Sequence, residues 1–165
     1  MNTNGIAKTL AMLLGELVNG AAKDGGYMLN GGDEGLLKSL EKISAAEASA
    51  LTVTGSSIAA HTDHLRYGLS LMNRWSNGEN PFAGANWGAS WRKTAVSDDE
   101  WRRLRDDLRA ETSAWLDTVG QPREVDEAGL GGMIGSIAHL SYHFGAIRQI
   151  NSSTRGPRDG ETPTN

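Results

Sequence analysis

Apolar residues recur at helical spacing along four long stretches of the chain. Ile6, Leu10, Leu13, Leu17 and Ala21 form one stripe, which predicts a first helix over residues 5–23. Ile58, His61, Leu65, Gly68, Met72 and Trp75 form a second, which predicts a helix that starts after Gly55-Ser-Ser and runs to about Ser76. Trp101, Leu104, Leu108, Trp115 and Val119 form the third. It is introduced by Ser97-Asp-Asp-Glu100, a capping box with acids in the first turn. The fourth predicted helix spans Glu127 to Asn151, after the break at Gly120-Gln-Pro122.

The stretches between these helices carry weaker patterns. Leu36, Leu37, Leu40 and Ile43 predict a short helix over 34–43, whereas 44–54 is rich in Ala, Ser and Thr and reads as irregular. Residues 77–96 read as a long loop carrying Phe82, Trp87 and Trp91; a loop of this length in a compact domain is usually functional or mobile. Residues 152–165 have no apolar anchor and read as a flexible tail behind a domain of residues 1–151. No stretch alternates as a strand does. The expected class is all-α, a four-helix bundle.

Composition narrows the chemistry. At 165 residues the chain has room for one core. A net charge of −4 gives no electrostatic footprint for nucleic acid, and the mixed charges of Arg102, Arg103, Arg105, Asp106, Asp107 and Arg109 read as a solvated helix face. The apolar run Leu10 to Leu14 is far too short to cross a membrane. No basic segment precedes it, so no signal peptide is expected and the cytoplasm is the expected compartment. There is no cysteine, so any metal site must use nitrogen and oxygen ligands. The 21 glycines are many; Gly131, Gly132, Gly135, Ala138, Gly145 and Ala146 of the last helix are expected to let a neighbouring helix come close.

The four histidines then carry the candidate chemistry. His139 and His143 stand at i,i+4 and share one face of the last helix, beside Leu140, Phe144 and Ile147. His61 sits in the apolar stripe of the second helix, and His64 follows one turn on, displaced by roughly 60° around the axis. Alone, His61 reads as a core histidine bonded to a carbonyl, and the i,i+4 pair as polar residues at a packed edge. Two pairs on two helices that touch would instead bring three or four imidazoles to one point. Three histidines with an open position are a zinc-type arrangement, and imidazole equally suits nickel, iron and copper. Trp87 and Trp91 either wall a substrate pocket or pin their loop to the core. Tyr142 lies between His139 and His143 at a possible pocket edge, and Gln149 and Arg148 read as capping and solvent-facing groups. No catalytic residue stands out, and no phosphate loop or Ser-His-Asp order does.

Ser57-Ile-Ala-Ala-His61, the Val96-Ser-Asp-Asp-Glu-Trp101 segment and His139-Leu-Ser-Tyr-His143-Phe-Gly-Ala-Ile-Arg-Gln149 together resemble the DinB/YfiT-like family of bacterial metalloenzymes, over roughly residues 5–150. The resemblance implies a bundle of up-down-down-up connectivity, commonly a homodimer. It implies a divalent metal, zinc or nickel foremost, held by His61, His139 and His143, with His64 as the alternative ligand or as a group behind the ligands. It further implies a small-molecule substrate and a low-molecular-weight thiol, used by a transferase or isomerase. A metal-dependent hydrolase and a non-catalytic interaction or stress-response protein are the alternative functions. No nucleic acid and no membrane enter any of these expectations.

Overall fold

The computed structural model describes residues 1–158. Among these the chain forms seven α-helices and no β-strand: α1 (Ala7–Asn19), α2 (Gly35–Glu41), α3 (Ala45–Ala48), α4 (Ile58–Ser76), α5 (Trp87–Ser90), α6 (Asp98–Gly120) and α7 (Glu127–Ile150). The all-α expectation therefore holds.

Three of the four long helices begin where side-chain caps satisfy the first backbone N–H groups, whereas α1 has no side-chain cap. Ser57 Oγ accepts from the Ala60 N–H at the start of α4. Ser97 and Glu100 form the expected capping box of α6. Asp126 accepts from the Gly129 N–H at the start of α7. The apolar stripes then bury each helix. α6 packs against both α1 and α4, and α7 packs against α4 and α1, so the four long helices close a ring of pairwise contacts. Trp115, Phe144, Leu14, Ile58, Leu108 and Leu140 are among the most deeply buried side chains inside it. Two indoles tie elements together from within. Trp101 Nε1 donates to the Ile43 carbonyl, and Trp115 Nε1 donates to Ser136 Oγ on α7.

Several stretches depart from the pattern-based reading. α1 stops at Asn19, short of residue 23, because Gly20 takes φ +100 and its N–H closes on the Glu16 carbonyl. The following loop turns back under Glu16, whose buried carboxylate accepts from the N–H groups of Tyr27, Met28 and Leu29. Gly35, at φ +76, is obligatory there, since a Cβ would lie 2.4 Å from the Gly20 nitrogen. Residues 44–54 are not wholly irregular: Ser44 and Glu47 form a capping box that nucleates α3. Residues 77–96 hold a 3₁₀ turn at Pro81–Gly84 and then α5, capped by Asn86.

The glycines of α7 act differently from expectation as well. Gly131, Gly135 and Gly145 face open space. The close approach of α4 is made at Gly129, where a Cβ would meet Trp75 at 2.9 Å, and at Gly132, which touches the end of Met72. Finally, residues 152–158, read from the sequence as tail, are anchored at a few points. Ser152–Thr154 form a 3₁₀ turn, Thr154 is buried, and Arg155 donates to the Arg148 carbonyl. The remaining tail positions, 159–165, lie outside the described residues.

Candidate metal centre

The N-terminal half of α4 is enclosed on every side, and residues 57–65 are all buried. Five of them are polar or titratable. Ser57 caps the helix, Thr62 donates to the Ile58 carbonyl, and Asp63 pairs with Arg66 one turn on. That leaves His61 and His64. Both point toward α7, where His139 and His143 meet them.

All four imidazoles lie in one cluster. His64 Nε2 stands 3.1 Å from His139 Nε2, and His139 Nε2 stands 3.0 Å from His143 Nε2. One ring nitrogen from each of these three lies within 4.8 Å of the others, close enough to hold a metal ion between them. His61 lies behind this group and not within it: its Nδ1 is 2.9 Å from His143 Nδ1. The sequence stripe favoured His61 as the upstream partner of His139 and His143; the convergent atoms are those of His64, with His61 on the far side of His143.

The hydrogen bonds constrain how protons are distributed. Ser90 Oγ donates its one hydrogen to the Trp87 carbonyl at 2.7 Å, so at 2.8 Å from His64 Nδ1 it can only accept. His64 therefore carries its proton on Nδ1 and turns an Nε2 lone pair to the cluster. His143 reaches the same state when its Nδ1–H donates to His61 Nδ1, which leaves the proton of neutral His61 on Nε2. Each ring nitrogen offers one N–H or one lone pair, so His139 Nε2 can serve only one of its two neighbours at full strength. A cation at the centre satisfies all three nitrogens at once. Tetrahedral coordination at 2.0–2.1 Å separates ligand nitrogens by about 3.3 Å, close to the two spacings seen. The donor set thus fits a divalent metal ion.

Burial keeps the rings neutral. It pushes His143 down to about 3, with the neighbouring charges of His139, His61 and His64 adding to the effect. It pushes His64 down to about 4, helped by His139 and His61 and opposed by Asp63. Desolvation lowers His61 and His139 too. Neutral imidazole is the metal-binding form. The same shifts carry a stability consequence for chelator-treated protein. Folded values below the ordinary 6.5 mean that the unfolded chain takes up these protons first as pH falls. Stability is then full above about 6.5 and is lost as pH falls toward the folded values, by about 1.4 kcal/mol per pH unit for each ring kept neutral. Urea midpoints are expected to be clearly lower at about pH 5 than at about pH 7.5. A flat or inverted profile would contradict a neutral cluster.

The tryptophans of the long loop lie against the cluster. Trp91 stacks on His64 with centroids 4.4 Å apart and meets His61 edge-on at 5.1 Å. Trp87 approaches His64 at 5.5 Å and is itself held by Tyr67, whose hydroxyl accepts from the Asn86 N–H. Both tryptophans therefore wall the histidines as well as anchoring α5. Tyr142 is 72% exposed and touches His143 only by its ring edge, so it lies at the outer rim. Gln149 is turned away and accepts from Arg155. Ser90 carries no periodic or motif signal; only its place beside Trp91 marks it in the sequence.

No helix among the described residues is long and apolar enough to cross a membrane. No family model, no curated protein and no solved structure matches the chain.

Proposed function

We propose that this chain is a divalent-metal protein of the DinB/YfiT-like kind, a four-helix bundle of α1, α4, α6 and α7 in up-down-down-up order, and an enzyme acting on a small molecule with a thiol cosubstrate. The observation that carries the metal reading is the convergence of His64, His139 and His143 on one point, with the outer nitrogens of His64 and His143 held by Ser90 and His61. The ring of helix pairings supports the bundle. Zinc suits the nitrogen-only donor set and the open fourth position, and nickel is the second choice.

A divalent ion held there by His64, His139 and His143 would supply Lewis-acid chemistry, drawing the pKa of a water or thiol toward neutrality. The chain's own groups do the rest. Ser90 and His61 hold the imidazoles of His64 and His143 in orientation, as outer partners of metal-binding histidines generally do. Trp87 and Trp91 keep water from the buried side. With no cysteine in the chain, a reacting thiol has to come with the substrate.

Elemental analysis of protein purified without a histidine tag or chelator tests the reading, beside a His139→Ala/His143→Ala variant. About one equivalent of zinc or nickel in the parent and none in the variant is the expected result. A parent that holds no metal, and takes up neither ion on reconstitution, would return the histidines to a packing role and favour a non-catalytic binding protein.

A further inference from the structure

Between α4 and α7, next to the histidines, lies a cavity of about 220 Å³. Leu65, Leu69 and Met72 of α4 and Leu140 of α7 line it, and Phe82 and Trp87 border it from the loop. It exists because three positions on its walls, Gly68, Gly132 and Gly135, carry no side chain. His139 forms one end and is the only titratable group on its walls. Ser136 also borders it, but its hydroxyl is committed, donating to the Met133 carbonyl and accepting from Trp115. The cavity therefore presents no cationic side chain for a carboxylate or phosphate; apart from the histidine, its polar side-chain groups are the committed Ser136 hydroxyl and the indole N–H of Trp87.

We infer that this cavity holds an uncharged, apolar, benzyl-sized group of the molecule whose donor atom meets the histidine cluster. Size selects the occupant. An apolar cavity of about 150 Å³ accepts benzene, whereas drug-sized ligands use about 300 Å³ or more. A peptide helix is far too wide, at about 10 Å across. Chemistry selects it too, because an anion entering here would lose its hydration with no cationic side chain to meet it. The position of His139 sets the orientation: the ring lies between the glycine-lined walls, and the polar end of the molecule lies at the imidazoles. The part of this inference that concerns the donor atom rests on the metal reading; the apolar selectivity does not.

The test separates the two. Metal-free full-length protein is titrated with benzyl alcohol and with benzoate, followed by ligand-observed NMR. Zinc-loaded protein is titrated with benzyl mercaptan and with 2-mercaptoethanol by calorimetry. Benzyl alcohol is expected to bind at least about tenfold more tightly than benzoate, and benzyl mercaptan at least about tenfold more tightly than 2-mercaptoethanol. Gly132→Leu directs its side chain toward the flexible end of Met72, and a Cβ at Gly135 meets nothing within 4 Å, so neither leucine meets backbone at its Cβ; both positions stand on the cavity wall. Both variants are expected to weaken the benzyl probes about tenfold while leaving zinc uptake and 2-mercaptoethanol binding unchanged. If benzoate binds as well as benzyl alcohol, or neither leucine variant weakens the benzyl probes, the inference is overturned even where zinc binds. If the benzyl alcohol result holds and zinc does not bind, the cavity assignment stands and the metal reading fails.

Discussion

His64→Ala is expected to remove measurable zinc binding, whereas His61→Ala is expected to weaken it by only about 10–100-fold. The two residues stand one turn apart on α4 and are equally buried, at 7% exposure each, so burial does not distinguish them. What distinguishes them is the atom each presents. His64 turns Nε2 to His139 Nε2 at 3.1 Å and anchors its other nitrogen on Ser90. His61 presents Nδ1 to the nitrogen of His143 that faces away from the cluster. Removing His64 takes a donor atom from the ion; removing His61 takes the partner from the outer nitrogen of His143. A conservative change sharpens the contrast. His61→Gln keeps an acceptor for the His143 Nδ1–H and is expected to recover most of the lost affinity, while His64→Gln replaces an imidazole donor with a poor one and recovers little. Competitive titration against a chromophoric chelator reads all four variants. Should His61→Ala lose zinc and His64→Ala retain it, the ligand set is the His61 triad that the apolar stripe suggested.

The reason the stripe pointed to His61 is instructive about what a sequence can carry. Helical period identifies an inner face only when one side of the helix meets solvent. Around residues 57–65 no side does, because α3, α5, α6 and α7 surround the helix, so period alone could not rank His61 above His64. Where helices are half-exposed the pattern worked well. The face of Trp101, Leu104, Leu108, Trp115 and Val119 is buried as expected, and the Ser97 capping box starts α6 where the motif placed it. The i,i+4 pair of α7 and the presence of two more histidines on α4 were equally legible, since both are local. Contacts between distant loops were not. Ser90 is bonded to His64 across 26 residues, and nothing near Ser90 in the chain foretells it.

The largest stability effect is expected at another such contact. Arg148, near the end of α7, reads from the sequence as a solvated cation, yet its Nη2 donates to both carboxylate oxygens of Asp33 at 2.7 Å. Asp33 is 4% exposed and also accepts from the Gly35 N–H, so it shapes the turn that starts α2. The guanidinium lies 3.8 Å over the Phe144 ring, one residue beyond His143, and Gly156 packs so tightly on Asp33 that a Cβ there would collide with the carboxylate. One ion pair thus joins the loop before α2, the end of α7 and the segment after it. Arg148→Ala leaves a buried carboxylate without its cation and is expected to cost about 3–5 kcal/mol, a fall in Tm of roughly 10 °C for a chain of this size. The cost is that of an abandoned charge, not the net worth of the pair. Asp33→Asn/Arg148→Met removes both charges, keeps an acceptor for Gly35 and keeps an apolar stem on Phe144. The double variant is therefore expected to recover at least half of the loss in thermal and urea unfolding. A double variant no more stable than Arg148→Ala would show that the bidentate geometry itself, and not relief of the unpaired Asp33, holds this end of α7 in place.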